Sequence, residues 1–142
     1  ILELGRSCVH PEYRSGIVLK LLWQGISKFI KICKIKILIG CASFNGTDPS
    51  KFKDEFSLLY KSYRLPKSYN VKSLQDNEIL SRKNIKQSTI LNRLPPLIKG
   101  YLRAGGMVSE NFYIDKEFET IDYCVIMLTE KIVSRYQNKF LN

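Results

Sequence analysis

Four segments follow one another directly at the start of this chain: an apolar run, a proline-bearing turn, an amphipathic stretch and a second apolar run. Ile1 to Val9 reads as a strand that cannot continue pairing past Pro11. Across Gly16 to Lys34, Val18, Leu22, Ile26, Phe29 and Cys33 recur at three- and four-residue steps, with Lys20, Gln24, Ser27, Lys28 and Lys31 opposite them. That spacing is helical. Ile35 to Ser43 is short, isoleucine-rich and almost wholly apolar, the pattern of a buried strand. Strand, helix and strand in this order specify a parallel crossover, right-handed by the general rule. The expected fold class is therefore α/β (α+β), a mixed β-sheet with flanking helices, in a single domain over residues 1–142.

The remainder fits that frame. Asp48 is suited to cap a helix with Pro49 at its first position, and Phe52, Phe56, Leu59 and Tyr63 mark its buried face up to Arg64-Leu65-Pro66. Lys67 to Ser88 is polar and aperiodic, with a weak strand expected over Asn70 to Leu74 and a loop or short helix after it. A further helix is expected from Pro95 to Ala104, stopped by Gly105-Gly106. Met107 to Ile114 and Asp122 to Thr129 read as paired strands joined by the acidic Asp115 to Glu119, and a last helical turn covers Val133 to Phe140.

A length of 142 residues with 44% hydrophobic residues is enough for one real core. Cys8, Cys33, Cys41 and Cys124 are scattered without paired spacing, so no zinc site is expected. Three of them lie in apolar runs, where a reduced cysteine acts as a small buried hydrophobe. A formal charge of +10 suits an anionic partner, or reflects the lysine-, isoleucine- and asparagine-rich usage of an AT-rich genome. No nucleic-acid motif or aromatic-basic platform accompanies it, which leaves acidic proteins, or a peripheral contact with an anionic membrane, in a cytoplasmic protein. Ile17 to Ile32, the most hydrophobic segment, is interrupted by Lys20, Lys28 and Lys31 and is too polar to span a bilayer.

Chemistry is concentrated in Glu3 to Gly16. The strand end at Cys8, Val9 and His10 leaves backbone groups free for the amides of an extended ligand. The helix start behind Arg14, Ser15 and Gly16 offers N–H groups and a positive dipole end to a phosphate. A long amide-bearing arm ending in a phosphate, such as an acyl-pantetheine, fits both. His10 is the only histidine, yet its place before Pro11 marks it as a turn residue. Glu3 and Arg6, three apart, fall on opposite faces of a regular strand and pair only across a bulge.

This stretch resembles the central motif of the GNAT-like acyltransferases. Glu3, Arg6 and Val9 reproduce a Glu-x-x-Arg pattern shared by acyl-homoserine-lactone synthases and ornithine-lipid N-acyltransferases, the latter also described as hemolysin-like. Leu22-Trp23-Gln24-Gly25-Ile26 and the run from Gly40 to Pro49 extend the likeness. The run from Gly40 to Pro49, that from Leu94 to Arg103, and Ile121-Asp122-Tyr123 with Ser134-Arg135-Tyr136 point to the ornithine branch. The resemblance implies transfer of an acyl or 3-hydroxyacyl chain from acyl carrier protein to the α-amine of ornithine or a similar amine. Bacterial ornithine-lipid synthesis would begin with that step.

It further implies Glu3 and Arg6 as catalytic residues, Glu3 as the amine's base or the holder of its cation and Arg6 as organiser of the acceptor pocket. Cys8, Val9, His10, Arg14, Ser15 and Gly16 would bind the donor. No cofactor would be held permanently, the acyl-phosphopantetheine being a substrate. Counting from Arg14, the family's later glycine positions hold Ile17 and Leu19, leaving only Gly16. That suits the single phosphate of carrier-bound pantetheine better than coenzyme A. Tyr60 reads as a packing residue, Asp122 as an amine ligand or a turn boundary. Two rival readings stand beside this one: a lactone synthase using S-adenosylmethionine, and an inactive remnant that binds carrier protein or lipid. Because the chain opens in mid-strand, the resemblance implies a sheet lacking its N-terminal strands, aggregation-prone and inactive by itself.

Overall fold

The computed structural model describes residues 1–5, 8–14, 16–77 and 87–132. A five-stranded mixed sheet has the order β1-β2-β5-β3, with β4 also paired to β5. Strand β1 (Leu2–Glu3) runs parallel to β2 (Ile37–Asn45), and helix α1 (Gly16–Ile32) makes the crossover between them. Strand β5 (Thr120–Leu128) lies antiparallel along the whole of β2, Ile37 facing Leu128 and Asn45 facing Thr120. Helices α2 (Lys53–Ser62), α3 (Gln87–Arg93) and α4 (Pro96–Ala104) fall between β2 and the short strands β3 (Met107–Val108) and β4 (Tyr113–Asp115).

The sheet has two unlike faces. Leu38, Ala42 and Phe44 on β2 share a side with Ile121, Tyr123 and Val125 on β5, and all six are buried. The core cluster joins them, apart from Leu38, to Phe56 and Leu59 of α2, Ile90 of α3, and Ile98 and Leu102 of α4. No residue of the opposite face, which carries Glu3, Ile39, Cys41, Ser43, Asp122 and Cys124, belongs to that cluster. Burying one face by period-two alternation fixes the register, since a one-residue slip would expose the whole core set.

Rings dominate the core. Phe56 lies 4.8 Å from Phe112, 5.1 Å from Phe44 and 5.4 Å from Tyr123, centroid to centroid. The Tyr123 hydroxyl is buried among them without a hydrogen-bond partner, and burial pushes its ionisation far up. A buried polar group left unmatched costs about 1–3 kcal/mol. Tyr123→Phe is therefore expected to stabilise the fold by about 1 kcal/mol, read as a higher urea midpoint at unchanged slope. A lower midpoint would show that the hydroxyl has a stabilising role.

Several expectations need correction. The first strand does not reach Val9: pairing covers Leu2–Glu3 and ends with the Leu4 N–H donating to the Ile39 carbonyl at 2.7 Å. Asn70 to Leu74 forms no strand. Asn70 takes a left-handed conformation (φ 48°), and side chains tie down the following loop. Asn111 accepts from the Ser73 N–H at 2.6 Å and donates to the Gln75 carbonyl at 2.9 Å. The Gln75 amide in turn pairs with both the N–H and the C=O of Ile114, as a neighbouring strand would.

Met107 to Ile114 is broken because the Ser109 hydroxyl intervenes, accepting from the Cys124 N–H at 3.2 Å and donating to the Asn111 carbonyl at 2.8 Å. Ser27, assigned to the polar face of α1, is buried, whereas Leu22 and Phe29 are exposed. The four thiols are free, and none is fully buried.

The helix ends follow their local signals. Asp48 accepts from the Ser50 N–H at 2.9 Å with Pro49 opening the turn, and its bonds to Ser50 hold its carboxyl below the usual range. Gly105 closes α4 at φ 101°, where an added Cβ would sit 2.9 Å from the Lys131 carbonyl oxygen. The expected helical turn over Val133 to Phe140 lies outside the described residues.

Candidate functional site

The site begins where β1 and β2 part. After the Leu4–Ile39 bond no further pairing of these strands is present among the described residues. Gly40 stands at the fork, with the Leu4 carbonyl oxygen 2.9 Å from where its Cβ would be. Only a residue without a side chain lets Leu4 approach this closely before the chain turns away.

Beyond the fork, Cys124 exchanges its backbone bonds with Ser109, on the side away from β2. Cys41 and Cys124 therefore form a non-hydrogen-bonded antiparallel pair, and the backbone N–H and C=O of Cys41 turn toward the β1 side. Alternation gives Ser43 the same direction. The β2 edge thus presents a short row of backbone donors and acceptors beside the diverging chain.

That chain continues as Cys8, Val9 and His10 and enters the short turn Pro11–Tyr13. Cys8 and His10 are exposed and Val9 is half-buried. The Arg14 Nε donates to the Val9 carbonyl at 3.0 Å, so one guanidinium N–H closes the turn on itself. His10 Nδ1 is 3.9 Å from a Glu12 carboxylate oxygen, and its ring is 5.9 Å from that of Tyr13. This is the expected place in a turn, with the ring beside Glu12 and Tyr13. Helix α1 starts at Gly16 directly behind the turn. Arg6 and Ser15 lie outside the described residues.

Glu3 shares the open sheet face with Cys41, because Glu3 faces Ile39 and Cys41 follows two residues on. The Cys41 thiol is pushed up by its partial burial, then by the negative charges of Asp122 and Glu3. Cys124 is pushed up by burial, then by Cys41 and Glu3. Burial, the larger cause, opposes any charge there, whereas the lesser one, the nearby carboxylates, opposes an anion and favours a cation. Asp122, across from Ser43, carries a buried Oδ1 without a hydrogen-bond partner.

Asp122 and Cys41 were not brought together with Glu3 by sequence reasoning. The usable signal was the alternation Ile39-Cys41-Ser43 against Leu38-Gly40-Ala42-Phe44, which assigns each residue a face once the run is not treated as uniformly apolar. Tyr60 is half-buried with the Arg64 guanidinium 4.3 Å over its ring. Tyr101 packs edge-on to Trp23 at 6.1 Å, and burial raises its phenol. No group of three or more His, Cys, Asp or Glu side chains able to hold a metal occurs among the described residues. No described helix is long and apolar enough to cross a membrane.

Comparison with known proteins gives this geometry a context. The family model described as an acetyltransferase (GNAT) domain matches residues 1–24, the segment from β1 through the turn into α1. An L-ornithine N(alpha)-acyltransferase of Brucella abortus (strain 2308) is 39% identical over 140 residues, covering 96% of this chain and 50% of the relative. Proteins with the same name from Rhodobacter capsulatus and Rhizobium meliloti are 32% and 35% identical, covering 96% and 98% of this chain and 54% and 48% of theirs. The chain thus spans about half the length of the curated relatives it matches. No solved structure matches it significantly. The likeness runs through the fork, the open sheet face and the helices behind them, so over nearly its whole length this chain is similar to one half of the L-ornithine N(alpha)-acyltransferases, with a GNAT-type segment at residues 1–24.

Proposed function

We propose that this chain supplies the donor-binding fork and the amine-activating carboxylate of an N-acyltransferase. The enzyme would move an acyl or 3-hydroxyacyl chain from acyl carrier protein to the α-amine of ornithine, opening ornithine-lipid synthesis. The observation that carries the reading is the parting of β1 and β2 at Leu4 and Gly40, with Glu3 on the neighbouring sheet face.

In this reading the pantetheine amides pair with the β2 edge at Cys41 and Ser43 and with the backbone of Cys8 to His10. The phosphate rests at the start of α1, near Arg14, Ser15 and Gly16. Glu3 takes the proton of the α-ammonium, and the freed lone pair attacks the thioester carbonyl. The new C–N bond forms, the nitrogen gives up a second proton as the C–S bond breaks, that proton goes to the leaving thiolate, and Glu3 releases the first to solvent. Alignment by the fork supplies proximity, and the proton transfer at Glu3 supplies general-base catalysis. Arg6 organises the acceptor, and the carrier protein's acidic surface meets the exposed Lys20, Lys28, Lys34 and Lys36.

One experiment tests both halves of the reading. The chain replaces the corresponding half of the Brucella relative, and N-acylornithine is followed by mass spectrometry with acyl carrier protein as donor. Product is expected. KM for the carrier should rise several-fold as salt shortens the Debye length below about 10 Å, and again with Lys28→Glu plus Lys31→Glu. Absence of product from a folded chimera contradicts the acyl-transfer reading. A KM indifferent to salt and to both substitutions removes the carrier from it.

A further inference from the structure

We infer that Asp122 binds the δ-ammonium of the acceptor and thereby decides which of its two amines is acylated. The inference rests on the ornithine reading above and names a residue that the reading does not use.

Three observations carry it. Asp122 is on the same sheet face as Glu3, with Cys41 between them: Glu3 lies diagonally to Cys41 across one strand gap, Asp122 diagonally across the other. The Cys41 thiol responds to both carboxylates. Finally, the Asp122 Oδ1 is buried without a hydrogen-bond partner, and no ion pair engages this carboxylate among the described residues. Buried polar atoms are normally matched, so an unmatched carboxylate oxygen beside an open face calls for a donor, which an ammonium supplies.

The spacing suits a diamine. Two strand separations of about 4.8 Å and four residues at about 3.3 Å place the Glu3 and Asp122 Cα atoms roughly 16 Å apart. The two side chains and an extended α,δ-diamine, hydrogen-bonded at each end, fill a gap of that order. The exposed Ser43, directly opposite Asp122, adds a hydroxyl at the same end. Held as a cation at Asp122, the δ-nitrogen is not a nucleophile, and the α-nitrogen is delivered to Glu3. A neutral side chain at the far end would lose that anchor.

The test uses the folded chimera with the Brucella relative, its unsubstituted form being the native chain, and ligand-observed NMR with ornithine and with norvaline, which has the same carbon skeleton without the δ-amine. Ornithine is expected to bind the native chain about 10- to 100-fold more tightly than norvaline, the ordinary worth of a hydrogen bond to a charged group. Asp122→Asn should abolish that preference and leave norvaline binding unchanged, while Asp122→Glu should restore part of it. Alkylation of Cys41 in the native chain, which needs no variant, should be slowed more by ornithine than by norvaline. Asp122→Asn binding ornithine as well as the native chain overturns the inference and leaves the acyltransferase reading intact. Failure of the folded native chimera to bind either amino acid overturns both.

Discussion

Replacing Arg93 with methionine is expected to cost about 3 kcal/mol of stability, the lower end of the range for breaking a buried ion pair. Arg93, at the end of α3, donates from Nη2 to Glu55 Oε1 at 2.7 Å and reaches Asp54 through Nη1 at 3.6 Å. The Glu55 side chain is only 5% exposed, and its Oε2 already lacks a partner. The guanidinium is therefore the main compensation for a carboxylate inside the helical layer, and it ties α2 to α3. Arg93 is half exposed, so water replaces some of the lost bonding, which places the cost at the low end of the range. For a chain of this length the melting temperature should fall by on the order of 10 °C. Adding Glu55→Gln to Arg93→Met should recover more than half of the loss, because the stranded charge disappears. A single-variant loss under about 1 kcal/mol, or a double variant no better than the single, would show that the pair is solvated and does not clamp the helices.

Much of this architecture was legible because it rests on short-range rules. The period of α1, the Asp48-Pro49 cap, the Gly105 stop and the alternating strands each depend on residues within a few positions of one another. What escaped depends on distant parts of the chain. The strand through Val9 looked continuous, yet it parts at Leu4, where the chain meets Gly40 across the sheet. Asn70 to Leu74 looked extended, but its backbone bonds go to the Asn111 side chain and to Glu110, whose N–H donates to the Val71 carbonyl at 3.0 Å.

Helix α1 shows the same limit. Its apolar arc runs from Ile17 and Leu21 round to Phe29 and Ile32, all exposed, while Trp23, Ser27 and Ile30 are covered to differing degrees. A stripe drawn from hydrophobicity alone chose the wrong part of an arc wider than one stripe. Leu2, Val18, Leu22, Ile26 and Phe29 line an open apolar groove of about 500 Å³ there. The site was legible in part for a similar reason. Glu3 and the turn from Cys8 to Gly16 are contiguous in the chain, whereas Asp122 joins Glu3 only through the register of β5 on β2.

The sharpest measurement is the rate of N-acylornithine formation when Glu3 becomes Gln, in the chimera that carries this chain in place of the matching half of the Brucella relative. Glutamine keeps the size of the side chain and one acceptor oxygen but cannot take the amine's proton. A positioned general base contributes about 10²- to 10⁴-fold, so kcat should drop by that factor. KM for the carrier protein should hold, because the donor binds along the backbone of the fork. Raising the pH should restore part of the rate, as solvent deprotonates the amine in place of the carboxylate. A Glu3→Gln chimera that is folded and acylates ornithine at the native rate would contradict the account at its centre, since the fork would then hold a donor without the base beside it.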